Sequence, residues 1–190
     1  KSNGTYSLVS TDDDSKLVNT SHRRTKNEVD NEAINTTLLW KHKFKKLART
    51  LTVNTSFNYS SSKSDGFVYS DNDFFKGFIR HDTTDQENIK NVKTNNFTTN
   101  ITYTEPLAKD IFLSANYTFS RVGNTNDRFT YEPDTKGAYL NRIDSLTNSY
   151  IFNQTINRPG LSFRVAKKKY NFNIGAAVSF SNFTQDNRSK

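Results

Sequence analysis

The feature that most constrains this chain is a strict alternation of apolar and polar side chains within short segments. One set of alternate positions reads Leu51, Val53, Thr55, Phe57 and Tyr59, and the positions between them are Thr52, Asn54, Ser56 and Asn58. Side chains of a β-strand point to opposite faces in turn, whereas a helix would spread both sets around its circumference. The pattern therefore predicts a strand with one apolar face and one neutral face of amides and hydroxyls.

The same alternation recurs on both sides of three short turns, which are predicted near residues 46–49, 105–110 and 166–169. Basic residues dominate the first and third turns. Pro106 lies in the second, where we expect it to end the hydrogen-bond ladder, because proline has no N–H to donate. The three turns predict three antiparallel hairpins.

Longer connections separate these hairpins, near residues 11–33, 62–92 and 121–147, and they are rich in Asp, Asn, Ser and Lys. We predict them as long loops into which the strands continue for some distance. Short turns that alternate with long loops are typical of outer-membrane β-barrels. The fold class predicted is all-β: an antiparallel up-and-down meander of about seven strands, forming part of a large transmembrane outer-membrane barrel.

The apolar phase changes once along the last third of the chain. Upstream of Arg158-Pro159-Gly160 the apolar positions are Tyr150, Phe152 and Ile156, which are even-numbered, whereas the apolar positions directly downstream, Leu161, Phe163 and Val165, are odd-numbered. A β-bulge at the Pro-Gly kink would shift the register by one residue. We therefore expect a bulge there.

Strand length agrees with a membrane span. Ten steps of about 3.3 Å separate Tyr170 from Phe180, and at a tilt of about 40° they rise by about 25 Å, the height of the apolar band of such barrels. Aromatic residues lie at both ends of this strand, as expected at the two membrane interfaces. The residues predicted to face lipid are Leu38, Trp40, Phe44, Leu51, Val53, Phe57, Tyr59, Phe97, Ile101, Tyr103, Ile111, Leu113, Tyr117, Phe119, Phe172, Ile174, Val178 and Phe180.

Composition narrows the function classes. Hydrophobic residues make up 33% of the chain, well below the globular norm of about 45–50%, as expected where only alternate strand residues meet an apolar medium. The absence of cysteine excludes a disulfide framework and a thiolate site. Much of the net charge of +8 lies at strand ends, in residues 41–46 and 167–169. Lysines and aromatic residues segregate by face and by position along the strand, so the stacking groove with basic flanks that nucleic-acid binding requires is not predicted. We therefore expect no nucleic-acid partner.

Several motifs resemble the barrel region of the TonB-dependent-receptor-like outer-membrane proteins of Bacteroidota. They comprise residues 38–51 (LLWKHKFKKLARTL), 64–67 (SDGF), 103–107 (YTEPL), 158–164 (RPGLSFR) and 167–172 (KKKYNF). The resemblance implies a large barrel with a plug domain, possible partners in the TonB system and a surface lipoprotein, and uptake as the activity. Single-chain bacterial barrels have at least about eight strands, so residues 1–190 are expected to be one segment of a longer barrel.

Candidate sites are few. The most apolar loop segment contains Phe67, Tyr69, Phe74, Phe75 and Phe78, which are candidates for ligand contact at the barrel mouth because exposed aromatic clusters often mark binding sites. The favoured alternative is that this segment is a self-packing loop or a strand extension above the membrane.

The histidines lie in separate segments, with no carboxylate at ligand spacing. We expect no metal site, no cofactor and no catalytic residue, so the chain is not expected to be an enzyme.

A second fold explains the same alternation. A soluble, secreted all-β adhesion or carbohydrate-binding domain would bury the aromatic face in a sandwich core and use loop aromatics to stack on sugars. In that fold Val53, Ile101, Leu113 and Ile174 would converge on a dry centre beneath a second sheet. In a membrane barrel the same four side chains would lie exposed on a single sheet.

Overall fold

The computed structural model describes residues 1–188. Within them the chain forms a single antiparallel sheet of nine strands. The strands are β1 (Ser2–Thr11), β2 (Leu17–Lys43), β3 (Thr50–Phe74), β4 (Arg80–Ala108), β5 (Ile111–Pro133), β6 (Tyr139–Arg142), β7 (Asn148–Ala166), β8 (Asn171–Ala177) and β9 (Phe180–Asn187). A single 3-10 turn (Asp144–Leu146) lies between β6 and β7.

The sheet is a meander in which β1 to β5 pair in sequence and β7 follows β5. Both β8 and β9 pair with β7, along its two halves, so they form one strand with a short break. The break lies opposite Pro159, which has no N–H; the Val178 N–H donates to the Pro159 carbonyl at 3.0 Å. The predicted antiparallel up-and-down fold is confirmed.

Cross-strand register sorts the side chains into two faces, because directly paired residues project to the same side. Adjacent rows across β3, β4, β5 and β7 read Val53, Ile101, Tyr117 and Pro159, and then Asn54, Asn100, Thr118 and Arg158. We call the side of the first row the apolar face and the side of the second the polar face. The alternation seen in one strand is therefore continuous across the sheet.

No apolar core covers either face in residues 1–188. Among the described aliphatic and aromatic side chains, only Val165, which is 6% exposed, is buried. On the apolar face Ile101 is 37% exposed and Ile174 is 67% exposed. The four residues that a sandwich would gather under a second sheet lie on one uncovered layer. No helix in this part of the chain is long and apolar enough to cross a bilayer.

The long loops predicted near 11–33, 62–92 and 121–147 are wrong in extent, because strands occupy most of those residues. The connections are instead residues 12–16 and 75–79, together with residues 134–138 between β5 and β6. Alternation disappears where both faces meet water, but the backbone ladder continues. Polar pairs across it support the pairing: Ser21 donates to Asn72 at 2.6 Å, and Ser64 donates to Asn27 at 2.8 Å.

Pro106 acts differently from the prediction. Pairing of β4 with β3 ends at Thr104, but pairing with β5 continues through Pro106 and Ala108 with one irregularity between them. Proline is tolerated there because β4 has become an edge strand, which needs no N–H donor toward β3. The turn itself comprises only Lys109 and Asp110, and Asp110 adopts a φ of 64°.

The bulge predicted at Arg158-Pro159-Gly160 is also wrong. The pairing of β7 with β5 runs without a shift from Val165 to Asn148. The phase change therefore places Phe152 and Ile156 on the polar face, opposite Asn124 and Ser120 of β5. The Phe152 ring stacks against Phe183 of β9 at 6.3 Å between centroids. The polar face thus carries a small aromatic patch in its last two strands.

Candidate functional site

The residues predicted to face lipid share one side of the sheet wherever the register defines it. Their aromatic rings contact one another near the short turns, where Phe44 lies 4.5 Å from His42 and 6.1 Å from Tyr103 between centroids. A second contact, Phe97 to Phe119 at 6.2 Å, lies about 20 Å further along the strands by the usual rise per residue. Two aromatic levels separated by aliphatic side chains are typical of the two interfaces of a membrane barrel.

Two pairs of polar groups on the apolar face are hydrogen-bonded to each other. The hydroxyls of Thr55 and Thr99 lie 3.2 Å apart on adjacent strands, and the Tyr117 hydroxyl donates to Asn157 Oδ1 at 2.6 Å. A polar group without a partner would be destabilising in hydrocarbon. These pairs make the face compatible with a medium that offers no hydrogen bonds.

A charged cluster joins the β2–β3 turn to the end of β4. The Glu105 carboxylate accepts from Arg49 Nε at 2.7 Å, from Arg49 Nη2 at 2.8 Å and from Lys46 Nζ at 2.6 Å. The Tyr103 hydroxyl also donates to it at 2.7 Å. The bidentate Arg-carboxylate geometry is one of the stronger ion pairs in proteins. It fixes the β2–β3 turn against the end of β4.

Two cavities open on the polar face of the sheet. One, of about 610 Å³, lies beyond the alternating segments, toward the longer connections. We call it the amide cleft. Its lining residues are Asn27, Ser64, Gly66, Asn88, Lys90, Asn126, Arg128, Ser145, Leu146, Thr147 and Asn148. A second, of about 460 Å³, lies nearer the short turns and includes Thr102, Asn116 and Arg158.

The 3-10 turn roofs the amide cleft. Thr130, which is 0% exposed, donates through its hydroxyl to Asn88 Oδ1 at 3.0 Å and lies 3.4 Å from the Leu146 carbonyl. The Thr130 carbonyl accepts from Ile143 N–H at 2.8 Å. One buried threonine therefore holds the roof, β5 and β4 together.

A further cavity, of about 320 Å³, continues from the amide cleft and shares Asn88 and Arg128 with it. Arg23, two residues of β3 (Val68 and Ser70) and polar residues of β4 complete its lining. The two cavities together contain three cationic side chains, Arg23, Lys90 and Arg128, and no carboxylate among their described lining residues.

The five loop aromatics proposed for ligand contact do not form one cluster. Phe67 packs against Tyr139 at 5.4 Å, with Lys26 Nζ 5.6 Å from its ring, and Tyr69 lies on the same face. The Tyr139 hydroxyl donates to Asp85 at 2.7 Å; this bond, with partial burial, raises the pKa of Tyr139 to about 12.

The other three aromatics lie at the β3–β4 tip. Phe74 lies on the polar face, opposite to Phe67, and is covered by Arg80 at 5.4 Å. Phe75 begins the connection and donates its N–H to the Val18 carbonyl at 2.8 Å. Phe78 is 95% exposed. Ligand contact by these five residues stays a prediction.

Pairing of β3 with β4 brings the carboxylates of Asp71 and Asp73 next to His81. Asp73 pairs directly with His81, and its Oδ1 lies 2.7 Å from Nδ1, while Asp71 Oδ1 lies 3.0 Å from Nε2. The hydrogen bond to Asp73 and the charge of Asp71 raise the pKa of His81, and the same hydrogen bond lowers the pKa of Asp73. Sequence reasoning missed this contact because both segments were predicted as loop.

The amide cleft was missed for the same reason. Lys90, Asn126 and Arg128 all lie in segments predicted as long loops, so no face was assigned to them. A usable signal was present in the spacing of Arg128 and Thr130, which alternate along β5 and pair with the alternating Lys90 and Asn88 of β4.

Comparison with known proteins agrees with this geometry. A family model described as "Outer membrane protein beta-barrel family" matches residues 42–190, which include β3 through β9. No curated protein matches the chain. The matched region contains both aromatic levels of the apolar face and most of the polar face, so the predicted outer-membrane localisation is confirmed. The chain belongs to the outer membrane protein β-barrel family, and it contributes barrel wall in contact with lipid in the cell outer membrane.

Proposed function

We propose that this chain is a non-enzymatic wall segment of a large outer-membrane receptor or transporter that takes up a polar solute by TonB-dependent transport. In this proposal the apolar face contacts lipid tails and the polar face lines the lumen. The far ends of the strands, with their connections, form the extracellular mouth. The resemblance of the turn and hairpin motifs to TonB-dependent-receptor-like proteins supports the energy coupling.

The observation that carries the proposal is the one-sided polarity of the sheet. On the polar face, side chains that are paired across neighbouring strands hydrogen-bond to each other. Thr118 donates to Asn100 at 2.7 Å, and the Thr98 and Ser120 hydroxyls lie 3.1 Å apart. The opposite face is aliphatic and aromatic and has no covering layer in residues 1–188. A sheet with hydrocarbon on one side and neutral hydrogen-bonding groups on the other is suited to a water-filled barrel.

Strand length supports an extracellular mouth. β3 contains 25 residues, whereas a membrane span needs about 9–11. More than half of β3 therefore extends beyond the bilayer, and the polar sequence from Ser60 to Asp65 belongs to that extension. We place the short turns on the periplasmic side and the amide cleft outside the membrane.

The edges of the sheet support a larger barrel. Within residues 1–188, the part of β2 beyond Asn27, which β1 does not reach, and the interrupted β8/β9 strand each have a neighbour on one side only. Unpaired backbone groups are destabilising in lipid, so the membrane part of each edge requires a further strand. We propose that the remaining strands and a plug of the parent barrel supply these contacts, with the TonB system and a surface lipoprotein as partners.

A soluble adhesion or carbohydrate-binding domain is the weaker alternative. It requires the apolar face to be a dry core, yet Ile101, Leu113 and Ile174 remain exposed on a single sheet. Family membership does not favour it.

Two measurements on the full-length parent protein test the proposal. It is expected to need detergent to stay in solution and to change its gel mobility when heated, as folded membrane barrels do. A parent protein that is monodisperse in plain buffer would rule the proposal out.

Energy coupling needs its own test. The purified parent protein is expected to retain the periplasmic domain of TonB in a pull-down, and addition of excess free domain should release it. A parent that is membrane-embedded but retains no TonB domain would contradict the coupled mechanism and leave a passive barrel.

A further inference from the structure

We propose that the amide cleft binds an acidic oligosaccharide, a chain of hydroxylated sugars that carries carboxylate groups. This inference rests on the proposed function, because it requires the polar face at the strand ends to be open to extracellular solute. It assigns a ligand class to a cleft that the family match leaves undefined.

Lys90 and Arg128 form an uncompensated pair of positive charges in the cleft. They are direct cross-strand partners on the polar face. Like charges in that position repel and destabilise the pair. Among residues 1–188, neither side chain forms an ion pair with a carboxylate, and the cleft lining contains none. An anionic ligand between the two cations would remove the repulsion.

The amide side chains of Asn27 and Asn88 supply the cleft with hydrogen-bond donors. Asn88 Oδ1 already accepts from Thr130 at 3.0 Å and from Arg128 Nη2 at 3.4 Å, and Asn27 Oδ1 accepts from Ser64 at 2.8 Å. The acceptor atom of each amide is therefore engaged by the protein. Their N–H₂ groups, with Lys90 and Arg128, supply donors to the cleft, which suits a ligand rich in acceptors.

The roof of the cleft has one acidic side chain, Asp144 at the start of the 3-10 turn, and this carboxylate is already paired. It accepts from Arg142 Nε at 2.7 Å. The turn contributes Ser145, Leu146 and Thr147 to the lining, which are uncharged. The cleft is therefore cationic on its sheet side and neutral on its roof side.

The two cavities together form a long groove. Arg23 lies in the row of Ser70, six residues along β3 from the row of Ser64 and Lys90, which is about 20 Å at the usual rise per residue. The adjoining cavity places Arg23 and Arg128 along one continuous groove. A groove lined over that backbone distance, with cationic residues attached near both ends, matches charges repeated along an oligomer better than a single compact anion. Charge-assisted hydrogen bonds would carry the recognition.

Calorimetry of the full-length parent protein in detergent tests the inference, with the acidic trisaccharide trigalacturonate as the probe. Binding is expected, and Lys90→Gln and Arg128→Gln should each weaken it by at least about tenfold, which is the weight of one charge-assisted hydrogen bond. Lys93→Gln is the matched control, because it lies on the same strand but on the opposite face and should leave the affinity unchanged. Each variant must keep the heat-dependent gel shift of the parent.

Three results would overturn the inference: maltotriose binding as tightly as trigalacturonate, inorganic phosphate binding as tightly, or equal weakening by Lys93→Gln. An independent readout comes without ligand. Lys90→Gln should raise the melting temperature, because it removes the like-charge pair; a lowered melting temperature would contradict that argument. A membrane-embedded, heat-modifiable parent that fails to bind trigalacturonate refutes the cleft inference alone, whereas solubility in plain buffer refutes the proposed function.

Discussion

Arginine placed on the apolar face should be destabilising according to depth, and Ile101 and Leu113 give the sharpest contrast. Leu113 pairs directly with Glu105, at the level of the charged turn cluster. Ile101 is four residues further along β4, about 13 Å of strand, or about 10 Å of height at a tilt of about 40°. In an apolar band about 25 Å tall, Ile101 therefore lies close to the midplane and Leu113 close to an interface.

The expected magnitudes differ accordingly. Ile101→Arg should lower the free energy of unfolding by about 2–4 kcal/mol, the usual effect of arginine at the midplane, and Leu113→Arg by about 0–1 kcal/mol. Leu113→Arg also brings the new guanidinium beside the Glu105 carboxylate, which favours the smaller effect. Thr102→Arg is the matched control: it is adjacent to Ile101 but lies on the polar face in a cavity of about 460 Å³, where the new side chain can reach water.

The assay is urea unfolding of the full-length parent protein in lipid vesicles, followed by the heat-dependent gel shift. Ile101→Arg should move the midpoint to lower urea, while Leu113→Arg and Thr102→Arg stay near the parent. Equal destabilisation by Thr102→Arg would refute the assignment of the faces. Equal destabilisation by Leu113→Arg would refute the depth assignment and favour a uniformly dry core.

Two further predictions concern the strand extensions. The raised pKa of His81 means that its stabilisation of the β3–β4 tip is present below its ordinary value of 6.5 and is lost as pH rises through the raised pKa. The Asp73 contribution is present above its ordinary 3.8 and is lost only as pH falls through its lowered pKa. Hydrogen exchange of residues 75–79 should therefore show more protection, corrected for intrinsic rates, at about pH 5.5 than at about pH 8.5, and His81→Asn should abolish the difference; an unchanged difference would contradict this. Thr130→Val should lower the free energy of unfolding by about 0.5–1.5 kcal/mol, because it removes the hydrogen bond from a fully buried hydroxyl to Asn88 Oδ1. It should also speed exchange in residues 144–147; unchanged exchange there would contradict the role of Thr130 in holding the roof.

Alternation made the membrane-spanning part predictable. Val53, Ile101, Leu113 and Ile174 were placed on one face from period alone, because lipid on one side and water on the other impose opposite chemistry on successive residues. The turn positions followed from the basic runs and Pro106, although the ladder beyond Pro106 did not.

The strand extensions were not predictable from the same signal. Both faces of the sheet contact water there, so the sequence around Ser64, Lys90 and Arg128 shows no alternation of polarity. The sequence of a strand then cannot be told from that of a loop. The pairing is instead maintained by backbone hydrogen bonds and by contacts distant in sequence, such as Tyr139 with Asp85 and Thr130 with Asn88. Those contacts depend on register, which a single sequence does not display.

The measurement that tests the central claim most directly is a cysteine scan of residues 51–59 in the parent protein, in intact outer membranes. The chain has no native cysteine, so each substitution reports one position; any cysteine elsewhere in the parent is first replaced. A membrane-impermeant, water-soluble maleimide should label the even-numbered positions, including Asn54, and spare the odd-numbered ones, including Val53. Labelling without a two-residue period, or labelling of the odd-numbered set instead, would contradict the account.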